Sequence, residues 1–254
     1  MSATSVFAQK EAREIWRTWR IWVLPGIILF LAVSGPVLAR FTPELVGALA
    51  GSQLGNLVLP PPTYLDSYAQ WIKNLDQIAL IALIIIYGGI VSAETSSGTA
   101  TLVLTKPVSR GAFVVVKAGV HTAFLATLLG VGTLITWCET AIVFGTAPAP
   151  ELWQASLVWL TLGVLMLSVM ILLSTVISST AGAAGAGLGV FLLLSIGGIW
   201  KPLNDYSPAG LSSQAAAIAS GVHQEFDPWP VVTAIVLSVV LVGLAALLFR
   251  RKEL

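Results

Sequence analysis

The sequence predicts an all-α integral membrane protein built from six transmembrane helices. Hydrophobic residues make up 56% of its 254 residues and charged residues 10%, whereas a soluble globular domain carries about 25% charge. So little polar surface cannot cover a water-soluble fold. Six mostly apolar runs approach the length of about 20 residues that a helix needs to cross a bilayer. Residues 1–254 are therefore expected to form a single transmembrane domain.

The six predicted spans follow from the apolar runs and the charges that bracket them. They cover about residues 21–39, 78–93, 113–137, 156–177, 183–200 and 231–249. The second span is the shortest, and Asp76 and Glu94 at its ends are expected at the two membrane interfaces. The first span is not a cleaved signal peptide, because a charged helical segment precedes it and no A-x-A site follows it.

The basic residues predict the orientation, since lysine and arginine collect on the cytoplasmic side. With six spans both termini lie on one side, in the cytoplasm, and the protein belongs in the cell membrane. Ten of the 13 lysines and arginines then fall on that side: Lys10, Arg13, Arg17, Arg20, Lys106, Arg110, Lys117, Arg250, Arg251 and Lys252. Every basic cluster adjoins an apolar run, which argues against a nucleic-acid-binding face.

Two external segments are long enough to hold structure. In the first, residues 40–77, a proline run at 60–62 precedes Tyr64, Tyr68, Trp71 and Leu75, whose helical spacing predicts a helix lying on the outer leaflet. In the second, residues 201–230, Ser207 is a candidate N-cap before proline, and a helix is expected to continue to Gly221.

Residues 1–20 form an amino-terminal arm, which is predicted to be a cytoplasmic interfacial helix. Lys10, Arg13, Glu14 and Arg17 share one face at helical spacing. Two interpretations stay open. The arm is either an ordinary positive-inside anchor or a docking element for a cytoplasmic partner.

The search for an active site finds none in the sequence. The chain has two histidines and one cysteine, and it lacks zinc-protease, serine-hydrolase and P-loop motifs. No catalytic residue, metal site or cofactor is therefore expected in this chain. His121, one turn after Lys117, is expected to be packed rather than part of a proton relay. Gly185 and Gly189 form a G-x-x-x-G that fits internal packing or a subunit interface equally well.

Residues 94–110 form a polar segment between spans two and three that contains several residues able to end or begin a helix. Gly98 can end span two, Pro107 biases Lys106 away from helix, and Ser109 can cap the next helix. The stretch TATLVLT also alternates like a strand, so its conformation stays open. The segment is either an inert loop or a lever fixed at both ends to transmembrane helices.

This segment resembles the connection between spans two and three of ABC-2 type transporter permeases, the six-span subunits of ATP-binding-cassette exporters. The resemblance extends over the whole chain, including the charged arm and the basic tail. It departs at residues 95–97, which are uncharged here. The matching pattern is Glu94, Gly98, Thr99, Leu102, Leu104, Pro107, Val108, Ser109, Arg110 and Lys117.

The resemblance implies a type V exporter-like architecture in which two permease subunits pair as a homodimer or heterodimer. Separate ATPase subunits would bind ATP and magnesium on the cytoplasmic side. Glu94 to Arg110, including Lys106, would form the ATPase-coupling segment. The docking arm beside it would use Lys10, Glu11, Arg13, Glu14 and Arg17.

The function implied is export of a small amphipathic or lipid-like substrate, driven by the separate ATPase. A non-transporting scaffold or sensor that docks an ATPase is the alternative. A membrane-embedded enzyme is a further, weaker one.

Overall fold

The computed structural model describes residues 3–17, 20–50, 60–105, 108–222 and 226–252. Two helices, α1 (Ala3–Arg17) and α2 (Arg20–Ala50), precede residues 51–59, which lie outside the described ranges. Next come α3 (Tyr64–Asn74), a π-helical turn (Leu75–Ala79), α4 (Leu80–Tyr87), α5 (Ser92–Ser96) and α6 (Thr99–Leu104). The remainder comprises α7 (Arg110–Phe144), α8 (Ala149–Val176), α9 (Thr180–Gly197), α10 (Lys201–Tyr206), a 3₁₀ turn (Pro208–Gly210), α11 (Leu211–Ala219) and α12 (Trp229–Arg251).

The predicted fold class is confirmed, since every regular element in the described residues is helical and six helices are long and apolar enough to cross a membrane. These candidate spans are Trp22–Val46, Tyr64–Ser96, Arg110–Phe144, Ala149–Val176, Thr180–Gly197 and Trp229–Arg251. Three prolines lie inside α2, which nevertheless continues to Ala50, beyond its predicted end.

The second span begins well before its predicted start. The helix expected on the outer leaflet runs without interruption into span two, and Tyr68 and Trp71 are fully buried in the bundle. The expectation was wrong because the polar atoms of this stretch find partners inside the protein. The Tyr68 hydroxyl donates to the Pro148 carbonyl at 2.8 Å, and Trp71 Nε1 donates to Ser156 Oγ at 3.3 Å. A buried polar group that is hydrogen-bonded costs little.

Asp76, which the sequence predicts at a membrane interface, lies in the π-helical turn within this span. Its Oδ1 accepts from Trp159 Nε1 at 2.9 Å and from Ser212 Oγ at 3.3 Å. The carboxylate thereby ties span two to span four and to α11.

Spans two and four form the centre of the bundle. In the most apolar stretch of each, 67% of the residues are buried, compared with 11% in span five and 22% in span six. Helix α8 contacts α4, α7, α9, α11 and α12. One close approach occurs at Gly132 of α7, where a Cβ would lie 2.8 Å from both Ile28 and Trp71, whereas Gly130 faces open space.

The segment before span six is folded against the bundle. Ser207 Oγ accepts from the Ala209 N–H at 3.3 Å, and the turn leads into α11. Gly221 follows this helix with a φ of 68°, a conformation in which glycine avoids the Cβ clash. Leu211 and Ala215 are fully buried. The α11 face that carries them packs on α8 and α3.

Candidate functional site

The segment from Glu94 to Arg110 forms two short helices, α5 and α6, separated by Gly98. The φ of Gly98 is 75°, which favours glycine because a side chain would be strained there. The sequence pattern of TATLVLT was compatible with either a helix or a strand. In the structure, Thr99–Leu104 forms a helix. Lys106 and Pro107 lie outside the described residues, and for Leu102 and Leu104 only the backbone is described.

Helix α7 begins at Arg110, immediately after the predicted N-cap residue Ser109. Ser109 Oγ accepts from the Ala112 N–H at 3.1 Å, which satisfies one of the unpaired donors of the first turn. Val108 is 8% exposed, so the end of the segment is anchored in the bundle. The coupling segment is thus fixed at its second end by a cap and a buried side chain.

The first end of the segment is held by a buried ion cluster. The Lys117 ammonium on α7, fully buried, lies 2.7 Å from Glu11 Oε2 on α1 and hydrogen-bonds Glu94 Oε1 on α5. Glu11 is 1% exposed and Glu94 is 8% exposed. One cation therefore joins the amino-terminal arm, the coupling segment and span three. Charge-assisted hydrogen bonds of this kind are among the strongest in proteins.

A second cation completes this cluster from its outer side. Lys10 Nζ lies 3.0 Å from Glu11 Oε1 and 3.7 Å from Glu94 Oε2, and it also pairs with Glu14. Burial alone lowers the pKa of Lys10, but the hydrogen bond to Glu14 and the charges of Glu11 and Glu94 outweigh it and raise that pKa above its usual value. Lys10 is therefore charged throughout the physiological pH range.

The three carboxylates also have the spacing of a cation site. One oxygen each of Glu11, Glu14 and Glu94 lies within 4.8 Å of the others. The Lys10 ammonium contacts all three side chains, so a cation of the chain itself already occupies the space between them.

His121 borders the cluster on span three. Its Nε2 lies 4.0 Å from Glu11 Oε2, and its Nδ1 lies 3.2 Å from the Tyr87 hydroxyl. The sequence alone did not single out Tyr87. Lys117 and His121, one turn apart in an apolar span, are the sequence signal that could have indicated a polar cluster there.

Aromatic rings pack beside the cluster and connect α1 and α7, which the cluster also joins, to α12. Phe113 of α7 stacks on Phe7 of the arm with centroids 5.3 Å apart, and on Phe249 of α12 with centroids 5.1 Å apart. The arm is therefore attached to the bundle by apolar and ionic contacts together.

Two basic residues bind the carboxyl-terminal ends of helices. Arg110 Nη1 donates to the backbone carbonyls of Lys252, at 2.6 Å, and Arg250, at 3.3 Å. Lys252 Nζ donates to the Thr175 carbonyl at 2.8 Å, at the end of α8. Cations at this position satisfy unpaired carbonyls and complement the helix dipole.

The residues implied in ATPase contact thus divide into two groups. One group makes the intramolecular contacts described above: Lys10, Glu11, Glu14, Glu94 and Arg110. Arg13 and Arg17 are exposed on the arm, and residues 96–99 are exposed at the α5–α6 turn. Among the described residues, the exposed turn at 96–99 is therefore uncharged, and the exposed cations Arg13 and Arg17 lie on the arm.

The family model described as "Protein of unknown function (DUF2705)" matches residues 59–254. The uncharacterized transmembrane protein YxlG of Bacillus subtilis is 21% identical, over 100% of this chain and 99% of that protein. The probable ABC transporter permease protein NosY of Pseudomonas aeruginosa is 31% identical, over 92% of this chain and 93% of that protein. The similarities to these two proteins extend over nearly the whole length of both chains.

Proposed function

This chain belongs to the DUF2705 family and is distantly similar to an ABC transporter permease, and from this premise we propose that it is the membrane-spanning subunit of an ABC transporter. A separate ATPase would bind ATP and magnesium, since the sequence holds no P-loop. The observation that carries the proposal is the ion cluster, in which Lys117 joins the arm and the coupling segment to span three.

The cluster supports a mechanical role for residues 94–110. A force applied to the exposed α5–α6 turn would reach span three through Glu94 and Lys117, and through the capped start of α7 at Ser109. Rigid-body displacement of packed helices is a common form of conformational change. ATP-driven closure of the ATPase pair would in this way alternately open a path between two permease subunits.

The exposed face of span five supports pairing with a second permease subunit. In α9, a Cβ added at Gly185 or Gly189 would meet nothing within 4 Å, so this G-x-x-x-G is not used for packing within the subunit. Small residues allow two helices to approach closely. We assign the pairing to a homodimer, with a heterodimer of related permeases as the alternative.

The proposed cargo is a small amphipathic or lipid-like molecule moved outward. The six spans carry few charges away from their ends, which suits such a cargo better than a small ion. Both termini are assigned to the cytoplasm on the distribution of lysine and arginine. Labelling of Ser109→Cys in a Cys138→Ser background tests this orientation, because reactivity from outside the cell would overturn it.

Two exposed serines provide a matched test of ATPase docking. The Ser96 hydroxyl donates to the Ala93 carbonyl at 3.2 Å, and that of Ser220 donates to the Ala216 carbonyl at 2.8 Å, so each returns to its own helix. Ser96 lies on the proposed docking face and Ser220 follows α11 on the opposite side. Both would be replaced by arginine in the full chain, co-expressed with a candidate ABC-type ATPase from the same genome.

Ser96→Arg is expected to weaken the complex about tenfold or more, since a misplaced charge at an interface costs at least about 1.4 kcal/mol. Ser220→Arg is expected to leave the complex unchanged. Equal effects of the two substitutions would contradict docking at α5–α6. A stable complex that hydrolyses ATP but moves no cargo would instead favour the scaffold or sensor function.

A further inference from the structure

Span two is interrupted between α4 and α5, immediately before Glu94. The Ile90 N–H donates to the Tyr87 carbonyl, three residues back, at 3.1 Å. The N–H groups of Val91 and Ser92 both donate to Ser174 Oγ, each at 3.0 Å. Bonding to the carbonyl four residues back resumes when the Ala93 N–H donates to Gly89 at 3.1 Å.

The acceptor of these two bonds comes from another transmembrane helix. Ser174 is fully buried in the last turn of α8, and its hydroxyl proton is donated to Ser92 Oγ at 3.2 Å. The neighbouring Thr175 carbonyl accepts from Lys252 Nζ, which fixes this end of α8. A single hydroxyl thus does for α5 what an N-cap residue of its own chain segment normally does.

The break also lies against the start of α9. A Cβ at Gly88 would approach the Thr180 carbonyl oxygen to 2.7 Å, and one at Gly89 would approach Thr180 Oγ1 to 2.9 Å. Both glycines therefore let the backbone of span two approach α9 closely. The break is enclosed between the end of span four and the beginning of span five.

We propose that Ser174 is a positioning residue for the coupling segment. Its hydroxyl caps α5 across the bundle and sets the direction in which that helix leaves span two, and hence the placement of Glu94 against Lys117. The role in coupling rests on the function proposed above, whereas the cap itself does not.

The test compares Ser174→Ala with Ser168→Ala in the full chain, reconstituted in nanodiscs of phosphatidylethanolamine and phosphatidylglycerol. Ser168 is a matched control, because it lies on the same helix, is 4% exposed, and donates only within α8, to the Val164 carbonyl at 2.8 Å. Hydrogen–deuterium exchange would be followed in peptides that include Val91 and Ser92. Ser174→Thr, which keeps the hydroxyl, serves as the rescue variant.

In Ser174→Ala the amides of Val91 and Ser92 are expected to exchange about tenfold faster or more, because both buried donors lose their acceptor. In Ser168→Ala and Ser174→Thr they are expected to exchange as in the native protein. Equal exchange in Ser174→Ala and Ser168→Ala would overturn the cap.

The coupling role is tested in complex with the same candidate ABC-type ATPase. Ser174→Ala is expected to lower kcat for ATP at least about threefold while KM stays within about twofold, since the residue would act on transmission and not on ATP binding. Faster exchange with an unchanged kcat would limit Ser174 to a structural cap and overturn the positioning role. If the native chain forms no complex with the ATPase, the proposed function fails, and the exchange result still decides the cap.

Discussion

Replacing Lys117 by methionine tests whether the ion cluster holds the arm and the coupling segment together. Methionine keeps much of the apolar stem but removes the charge that contacts Glu11 Oε2 at 2.7 Å and also Glu94 Oε1. Two carboxylates that are 1% and 8% exposed would then face each other. Removing one partner of a buried ion pair costs about 3–5 kcal/mol, because the remaining charge is left uncompensated. Because Lys10 Nζ still lies 3.0 Å from Glu11 Oε1 and 3.7 Å from Glu94 Oε2, Lys117→Met is expected to destabilise the protein by about 3 kcal/mol, the lower end of that range.

The free energy of unfolding can be measured by circular dichroism in mixed micelles as the fraction of denaturing detergent is raised. Arg13→Met is the control, because Arg13 is an exposed cation of the same arm. Substitutions of this kind usually change stability by less than about 0.5 kcal/mol.

A double-mutant cycle separates the ion cluster from general damage to the core. Glu11→Gln removes one of the two carboxylate charges that Lys117 contacts. The double variant with Lys117→Met is therefore expected to lose less free energy of unfolding than the sum of the two single substitutions. Residues in one ion-pair network show coupling energies of about 0.5–3 kcal/mol. A cost of Lys117→Met below about 1 kcal/mol, or additive effects, would refute the reasoning.

Two further predictions use controls that the chain supplies. Gly132→Ala is expected to cost about 1–3 kcal/mol in the same unfolding assay, because the new methyl overpacks the contact of α7 with spans one and two. Gly130→Ala, which meets nothing within 4 Å, should be neutral or stabilise the helix by up to about 1 kcal/mol, and a similar cost at both glycines would contradict the packing. Arg110→Met and Lys252→Met are each expected to cost about 1–2 kcal/mol, since each leaves helix-terminal carbonyls without their cation. Arg251→Met, at an exposed position, is the comparison, and equal losses for all three basic residues would argue against capping.

The sequence by itself determined the number of membrane-spanning helices and several of the positions at which helices begin or end. An apolar run long enough to cross a bilayer can be recognised from the local sequence alone, because burial in lipid depends on composition and length. The cap at Ser109 and the turn at Gly98 are likewise local, since each depends on the conformational preference of one residue and its near neighbours.

Only the tertiary structure decided which polar groups meet inside the bundle. Glu11 and Lys117 are separated by 106 positions, and Val91 and Ser174 by 83. No helical or strand period connects such distant residues, so their pairing follows from the packing of α1, α5, α7 and α8. The full length of span two was decided in the same way. Its polar first turns can enter the bundle only because partners such as the Pro148 carbonyl and Ser156 lie opposite them.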